Sequence, residues 1–131
     1  MFEKMVKEAE RHHCDLVMCD YYKSSRKGIT WERTFHGKRL SVKEFMDTNA
    51  APYLCMKLFH SKLKPFMFQG IGKNQAEDVG LLYPLLPHVT KLGYIQEPLY
   101  FYYQRLDAST NHDSFVHNYS IDEYLATVQM L

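Results

Sequence analysis

No stretch of the 131 residues approaches the ~18 consecutive apolar residues that a membrane-spanning helix needs. The opening residues, Met-Phe-Glu-Lys-Met-Val-Lys-Glu, mix acids with bases and hold no apolar signal-peptide core. Together these absences point to the cytoplasm. Cysteine is scarce and odd in number (Cys14, Cys19 and Cys55), which argues against a disulfide framework and for buried free thiols in a reducing compartment. Charge of one sign is lacking too. The 16 Lys and Arg nearly cancel the 15 Asp and Glu, leaving +1, so the whole chain offers no electrostatic case for nucleic acid or an anionic membrane. There is no Asp-x-Asp and no Gly-rich loop after a strand, so no nucleotide or nucleotide-metal motif is present. Internal repeats and low-complexity stretches are absent as well.

What is present is apolar and aromatic. A hydrophobic content of 46% fills a core and excludes disorder as a class. The length suits one domain, or a piece of a larger protein. Aromatic residues make up 15%, with ten Tyr and eight Phe; they pack cores, and they also stack on sugar rings and bases.

Local patterns divide the chain into elements. Phe2, Met5, Val6 and Ala9 form the apolar face of a first helix, opposite Glu3, Lys4, Lys7, Glu8, Glu10 and Arg11. A helix opening at the start Met raises the expectation of a truncated protein. Cys14 to Tyr22 is nearly continuous in apolar residues and predicts a buried strand. Lys23 to Gly28 is a polar, basic turn. Ile29, Trp31, Arg33 and Phe35 then alternate with Thr30, Glu32, Thr34 and His36, which predicts a strand with two different faces. Ser41 and Glu44 form a capping box and Leu40 and Phe45 a hydrophobic staple, so a short helix should run to about Asp47 and stop before Pro52. Tyr53 to Leu63 reads as a strand end passing into a short helix, and Pro65 to Gly72 as a loop.

Asn74 and Glu77 form a second capping box, placing a helix start near Gln75. Val79, Leu82, Tyr83 and Leu86 would face a core, with Pro84 kinking or ending the helix. Gly93 to Ile95 and Pro98 to Tyr103 read as two strands joined by Gln96-Glu97. Ser120 and Glu123 cap a last helix whose apolar face is Ile121, Tyr124, Leu125, Val128 and Leu131.

Several residues have the chemistry of a site. Glu77 and Asp78 stand where a loop becomes an apolar helix, a position that suits a general base and equally suits acids stabilising a helix dipole. Lys57, charged among apolar residues, demands a partner. Arg105, with Ser109, Thr110 and Asn111 after it, forms a group of hydrogen-bonding side chains able to hold a phosphate or a sugar, or simply a salt bridge and a turn. His12, His13, Cys14 and Cys19 lack closed zinc-site spacing, and a strand between the two thiols would point them to opposite faces, so no metal site is expected there. Lys23, Arg26 and Lys27 are too few for a nucleic-acid stripe.

Four stretches in order, Cys14 to Tyr22, Met56-Lys57-Leu58-Phe59, Glu77-Asp78, and Glu97-Pro98-Leu99-Tyr100-Phe101-Tyr102-Tyr103-Gln104-Arg105 with Ser109-Thr110, resemble the C-terminal half of bacterial family 2 glycosyltransferases. The likeness covers about residues 1 to 112, and the Pro-Leu-Tyr-x-Tyr-x-x-Arg stretch is its most specific part. It implies an α/β fold, a partial GT-A-like fold with a mixed short sheet packed with amphipathic helices, in which 1–131 is a single acceptor-side portion. It implies Asp78 as the base, with Glu77 beside it, deprotonating an acceptor hydroxyl as it attacks the anomeric carbon of a nucleotide-sugar with inversion. It implies substrate contacts from Lys57, Arg105, Ser109 and Thr110, and aromatic residues of 66–68 and 100–103 lining an acceptor groove.

The family's Asp-Asp-Gly-Ser turn and Asp-x-Asp motif precede the point where this sequence begins. The resemblance therefore implies no cofactor bound by this chain alone, although the full-length family uses a divalent metal such as Mg or Mn, and no transfer activity from these residues alone. The expected partners are a nucleotide-sugar and a glycan acceptor, not nucleic acid, in the cytoplasm or at the inner face of the membrane. The alternative is a non-catalytic remnant that holds a glycan or a protein. Either form would bare a half-fold surface prone to self-association.

Overall fold

Every other strand of the sheet pairs with one strand, β1 (Leu16–Ser25), in the computed structural model, which describes residues 1–47, 53–67 and 77–104. β1 follows α1 (Phe2–His12), an amphipathic helix that buries Met5. His13 ends α1 in the left-handed conformation (φ 54°), and the Cys14 N–H returns to the Ala9 carbonyl at 2.9 Å. That is the Schellman closure, made without the usual glycine. Arg11 and His12 in the last turn complement the helix dipole.

The sheet is mixed, open and four-stranded. β4 (Leu92–Tyr103) runs parallel to β1 along almost all its length, from Leu16↔Leu92 to Ser24↔Tyr103. β2 (Gly28–Glu32) and β3 (Lys57–Phe59) are both antiparallel to β1. β3 pairs with Leu16–Met18 and β2 with Tyr21–Ser25, so they share β1's second edge end to end. The gap between them falls at Cys19 and Asp20 and is closed from the side by Thr34, whose hydroxyl donates to the Cys19 carbonyl at 2.6 Å.

Each face of the sheet carries a layer. Val17, Cys19 and Tyr21 pack with Met5, Cys14 and Met56 beneath α1. Leu16 and Met18, on the opposite face, join Phe35, Phe45, Leu63, Leu82, Leu85 and Leu86. Apart from Phe35, which lies in the segment after β2, those residues come from α2 (Val42–Asp47), α3 (Glu77–Leu82), and the 3-10 turns Ser61–Phe66 and Tyr83–His88. Burial on both sides explains why β1 reads as an uninterrupted apolar run. Among the described residues no helix is long and apolar enough to cross a membrane.

Several sequence expectations change. β1 continues through Ser25, so the basic turn shrinks to Arg26-Lys27. The alternating segment does not form one strand: β2 stops at Glu32, Ile29 and Trp31 stay exposed, and the chain turns inward at Thr34 and Phe35, where Asp20 accepts the Thr34 N–H at 3.0 Å. In the capping box Ser41 accepts from the Glu44 N–H at 3.2 Å, but Glu44 accepts from Arg39 N–H at 3.0 Å, and Leu40 is exposed. Gln96-Glu97 is not a turn. β4 is one strand with register shifts opposite Cys19–Tyr21, because β1 runs on unbroken and a parallel partner follows it by bulging. Pro98 sits in that bulge. α3 ends before Pro84, and the chain tightens to 3-10 geometry with proline in the first turn, where the missing N–H is not needed. Pro52, Phe68, the expected helix start at Asn74–Gln75 and the last helix at 120–131 lie outside the described residues.

Candidate functional site

Lys57 opens β3 opposite Met18 and is buried. Its ammonium donates to the Tyr53 carbonyl at 2.6 Å and lies 5.8 Å from the centre of the Phe45 ring. Burial pulls its pKa down to about 8, while the nearby Cys55, Asp78 and Cys19 act in the opposite direction. A lysine near neutrality is unusual and requires such desolvation.

Asp78 stands half-buried in the first turn of α3. Its carboxylate acts electrostatically on three groups, raising the pKa of Lys57, Cys55 and Tyr53. The fold thus brings Asp78 and Lys57, distant in sequence, into one electrostatic neighbourhood. Glu77 opens α3, and its side chain lies outside the described set, as do Arg105, Ser109 and Thr110.

Around this pair the structure adds Cys55, Tyr53 and Tyr21, which the sequence did not single out as site residues, and brings in Tyr100 and Tyr102. Partial burial raises the pKa of the Cys55 thiol; a hydrogen bond with Tyr100 lowers it and the Asp78 charge raises it further. Tyr53 stacks on Tyr102 with ring centres 6.0 Å apart, and both rings meet Tyr21 edge-on at 6.2 and 6.3 Å. Burial, then the neighbouring Tyr53 and Glu32, pushes Tyr21 up to about 12. Lys23 and Gln104 complete a cavity of about 150 Å³ with these three tyrosines. It lies toward the C-terminal ends of the parallel strands β1 and β4, the end at which open α/β sheets bind ligands. Of the aromatic stretches expected to line a groove, Tyr100 and Tyr102 belong here; Phe101 and Tyr103 point to the opposite face by strand alternation, and Phe66 instead stacks on His88 at 3.5 Å.

Two buried acids in β1 and its lead-in are structural. Asp15 accepts from the Thr90 N–H (2.7 Å), the Thr90 hydroxyl (2.6 Å) and the Lys91 N–H (3.2 Å), and pairs with Lys62 at 2.6 Å. Burial alone would raise its pKa; Lys62 and Thr90 outweigh that and hold the carboxyl well below the usual range. Asp20 accepts from the Trp31 indole N–H (2.9 Å), the Thr34 N–H (3.0 Å) and the Tyr94 hydroxyl (2.5 Å). Neither carboxylate retains the freedom that a general base needs.

The expectation that Cys14 and Cys19 point apart is corrected. Cys14 precedes β1, so strand alternation does not govern it, and both thiols pack under α1. Among the described residues no three His, Cys, Asp or Glu side chains converge as metal ligands.

A comparison with models of known protein families finds no match, and a comparison with curated proteins finds none either. What the site can do must be argued from its chemistry. It combines a half-buried carboxylate, a buried amine tuned toward neutrality and a wall of tyrosines with polar tips.

Proposed function

We propose that this chain is the acceptor-side part of a glycosyltransferase with a GT-A-like fold, acting in the cytoplasm or at the inner face of the membrane. The observation that carries it is the convergence of Asp78, Lys57 and the Tyr53–Tyr102 stack at one place. Asp78 accepts the proton of an acceptor hydroxyl as that oxygen attacks the anomeric carbon of a nucleotide-sugar; the bond to the departing diphosphate breaks and the configuration inverts. A carboxylate in a first helical turn is held at a fixed position while water can still reach it. Lys57 supplies positive charge close to the reacting groups and Glu77 stands beside the base in sequence; the resemblance adds substrate contacts from Arg105, Ser109 and Thr110, which lie outside the described residues. The tyrosines present flat faces to an acceptor sugar and hydroxyls to its edge.

In the family that the chain resembles, the donor nucleotide and a divalent metal, Mg or Mn, are held by a nucleotide-binding half, whose Asp-x-Asp motif these residues do not carry. On this reading the 131 residues alone are expected to transfer no sugar. The test has two parts. The DNA upstream of Met1 is expected to encode, in frame, Asp-Asp-Gly-Ser and Asp-x-Asp. The longer polypeptide is expected to transfer sugar from a nucleotide-sugar to a glycan and to lose that activity in Asp78→Asn. A stop codon close upstream, together with a stable folded chain, would favour a non-catalytic glycan- or protein-binding module instead.

A further inference from the structure

Beyond the part covered at Leu16 and Met18, the face of the β2–β1–β4 sheet turned away from Tyr21 and Tyr102 is aromatic and, among the described residues, exposed. Strand register places Trp31, Tyr22 and Phe101 side by side in one row, and Ile29, Ser24 and Tyr103 in the next. Trp31 is 55% exposed, Tyr22 40%, Phe101 50%, Ile29 63% and Tyr103 68%. A three-strand row spans about 10 Å at the usual strand spacing. Contiguous exposed apolar surface of this kind marks a binding surface.

The face is also built rather than merely bare. Trp31 is fixed by its indole N–H on Asp20 at 2.9 Å. The Tyr94 hydroxyl donates to Asp20 at 2.5 Å, with Arg33 close enough to act on it electrostatically. Burial and the Asp20 bond push Tyr94 up to about 12, so this hydroxyl keeps its proton. Asp20, Trp31, Arg33 and Gln96 line an open groove of about 480 Å³ on the same face. A buried carboxylate thus holds an exposed aromatic plane beside two planar polar side chains.

We infer that this groove and the aromatic row form a second carbohydrate site, one that holds an oligosaccharide chain against the sheet. Pyranose rings present C–H faces that stack on aromatic planes, and equatorial hydroxyls that suit guanidinium and amide edges. Neither row carries a charged side chain, and Arg33 is the one cation among the four groove residues. A nucleic acid would require more cations along its phosphates, and a purely apolar partner would gain nothing from Arg33 and Gln96. The choice of a sugar rests on the acceptor function proposed above, but the site does not use Asp78. It lies across the sheet from the Tyr21–Tyr53–Tyr102 cluster and would hold a distant part of a long acceptor.

Trp31 is the only tryptophan of the chain, so its fluorescence reports the site directly. The full chain is titrated with cellopentaose, maltopentaose and chitopentaose at millimolar concentration. At least one is expected to shift Trp31 emission saturably and protect it from acrylamide. Phe101→Ala and Tyr103→Ala, which remove exposed rings without core contacts, are expected to weaken binding about tenfold. Trp31→Ala, followed by calorimetry, is expected to weaken it at least as much. Asp78→Asn is expected to leave the response unchanged, so failure of the catalytic assignment and failure of this site are separable. No response to any of the three sugars overturns the inference. So does a Trp31 shift driven by protein concentration alone, which assigns the face to a second copy, or one driven by poly-dT, which assigns it to nucleic acid. Trp31 already shielded in the sugar-free full chain would show the face covered by the chain's remaining residues and would equally overturn it.

Discussion

Lys57 donates its ammonium proton to the Tyr53 carbonyl at 2.6 Å, in a place where burial has brought its pKa down to about 8. One hydrogen bond joins the first residue of β3 to the turn that carries Tyr53 and Cys55. It fixes the amine that Asp78 acts on, beside the tyrosine that stacks on Tyr102.

Stability should respond to Lys57 in the alkaline range. Its folded pKa lies below the ordinary 10.5, so in that interval the unfolded chain holds the proton and the folded chain does not. Stability then rises with pH from about 8. The contribution is worth roughly 3 kcal/mol when complete. The opposite sign applies to Cys19, which burial pushes up to about 11, and to Cys55, also raised: both lose stability as pH climbs past the usual thiol range. The difference between wild type and Lys57→Met in urea midpoints from pH 7 to 10 isolates the lysine. Lys57→Met is expected to be at least as stable at pH 7 and to lack the rise.

The Asp78–Lys57 relationship can be read without any substrate. Asp78 raises the Lys57 pKa, so Asp78→Asn should lower it further. An NMR titration of the Lys57 side chain in both proteins checks this. An unchanged midpoint would place the carboxylate elsewhere.

Asp15 should dominate the acid limb. Its pKa is depressed, so its stabilisation is present above the ordinary carboxylate range and is lost as pH falls through and below it. Asp15→Asn keeps an acceptor for Thr90 but loses the charge opposite Lys62. The expected cost is about 2 kcal/mol at pH 7, discounted because Lys62 is half exposed, with a flatter acid limb in chemical denaturation.

Much of the local structure was legible in the residues. The helix α1, the two-sided burial of β1 and the Ser41 cap are short-range patterns, and each formed near its expected place, although of the apolar stripe of α1 only Met5 is fully buried while Phe2 and Val6 stay exposed. β4 was misread because Gln96-Glu97 looks like a break in isolation, whereas only the unbroken β1 alongside shows that the strand bulges and continues. The same limit hid the roles of Asp15 and Asp20. Thr90 lies 75 residues from Asp15, and Tyr94 lies 74 from Asp20, so nothing local marks either acid as an anchor. Lys57 was recognisable as a charge in apolar company, but Cys55, Tyr53 and Tyr21 joined the site only through tertiary packing. The same packing places Trp31 on a bare face where strand alternation had predicted a sided strand.

Gly93 marks where β4 closes on the α1 layer. A Cβ there would stand 3.0 Å from both the Cys14 sulfur and Val17 Cγ2, tighter than ordinary contact. Gly93→Ala should cost about 1–3 kcal/mol, the usual range for overpacking, measured as a lower thermal midpoint.

The most direct measurement of the catalytic assignment is sugar transfer by the longer in-frame polypeptide, wild type against Asp78→Asn, with donor binding followed in parallel. Loss of a general base should lower kcat by about 10²–10⁴-fold while nucleotide-sugar affinity stays unchanged. Turnover retained in Asp78→Asn would contradict the assignment.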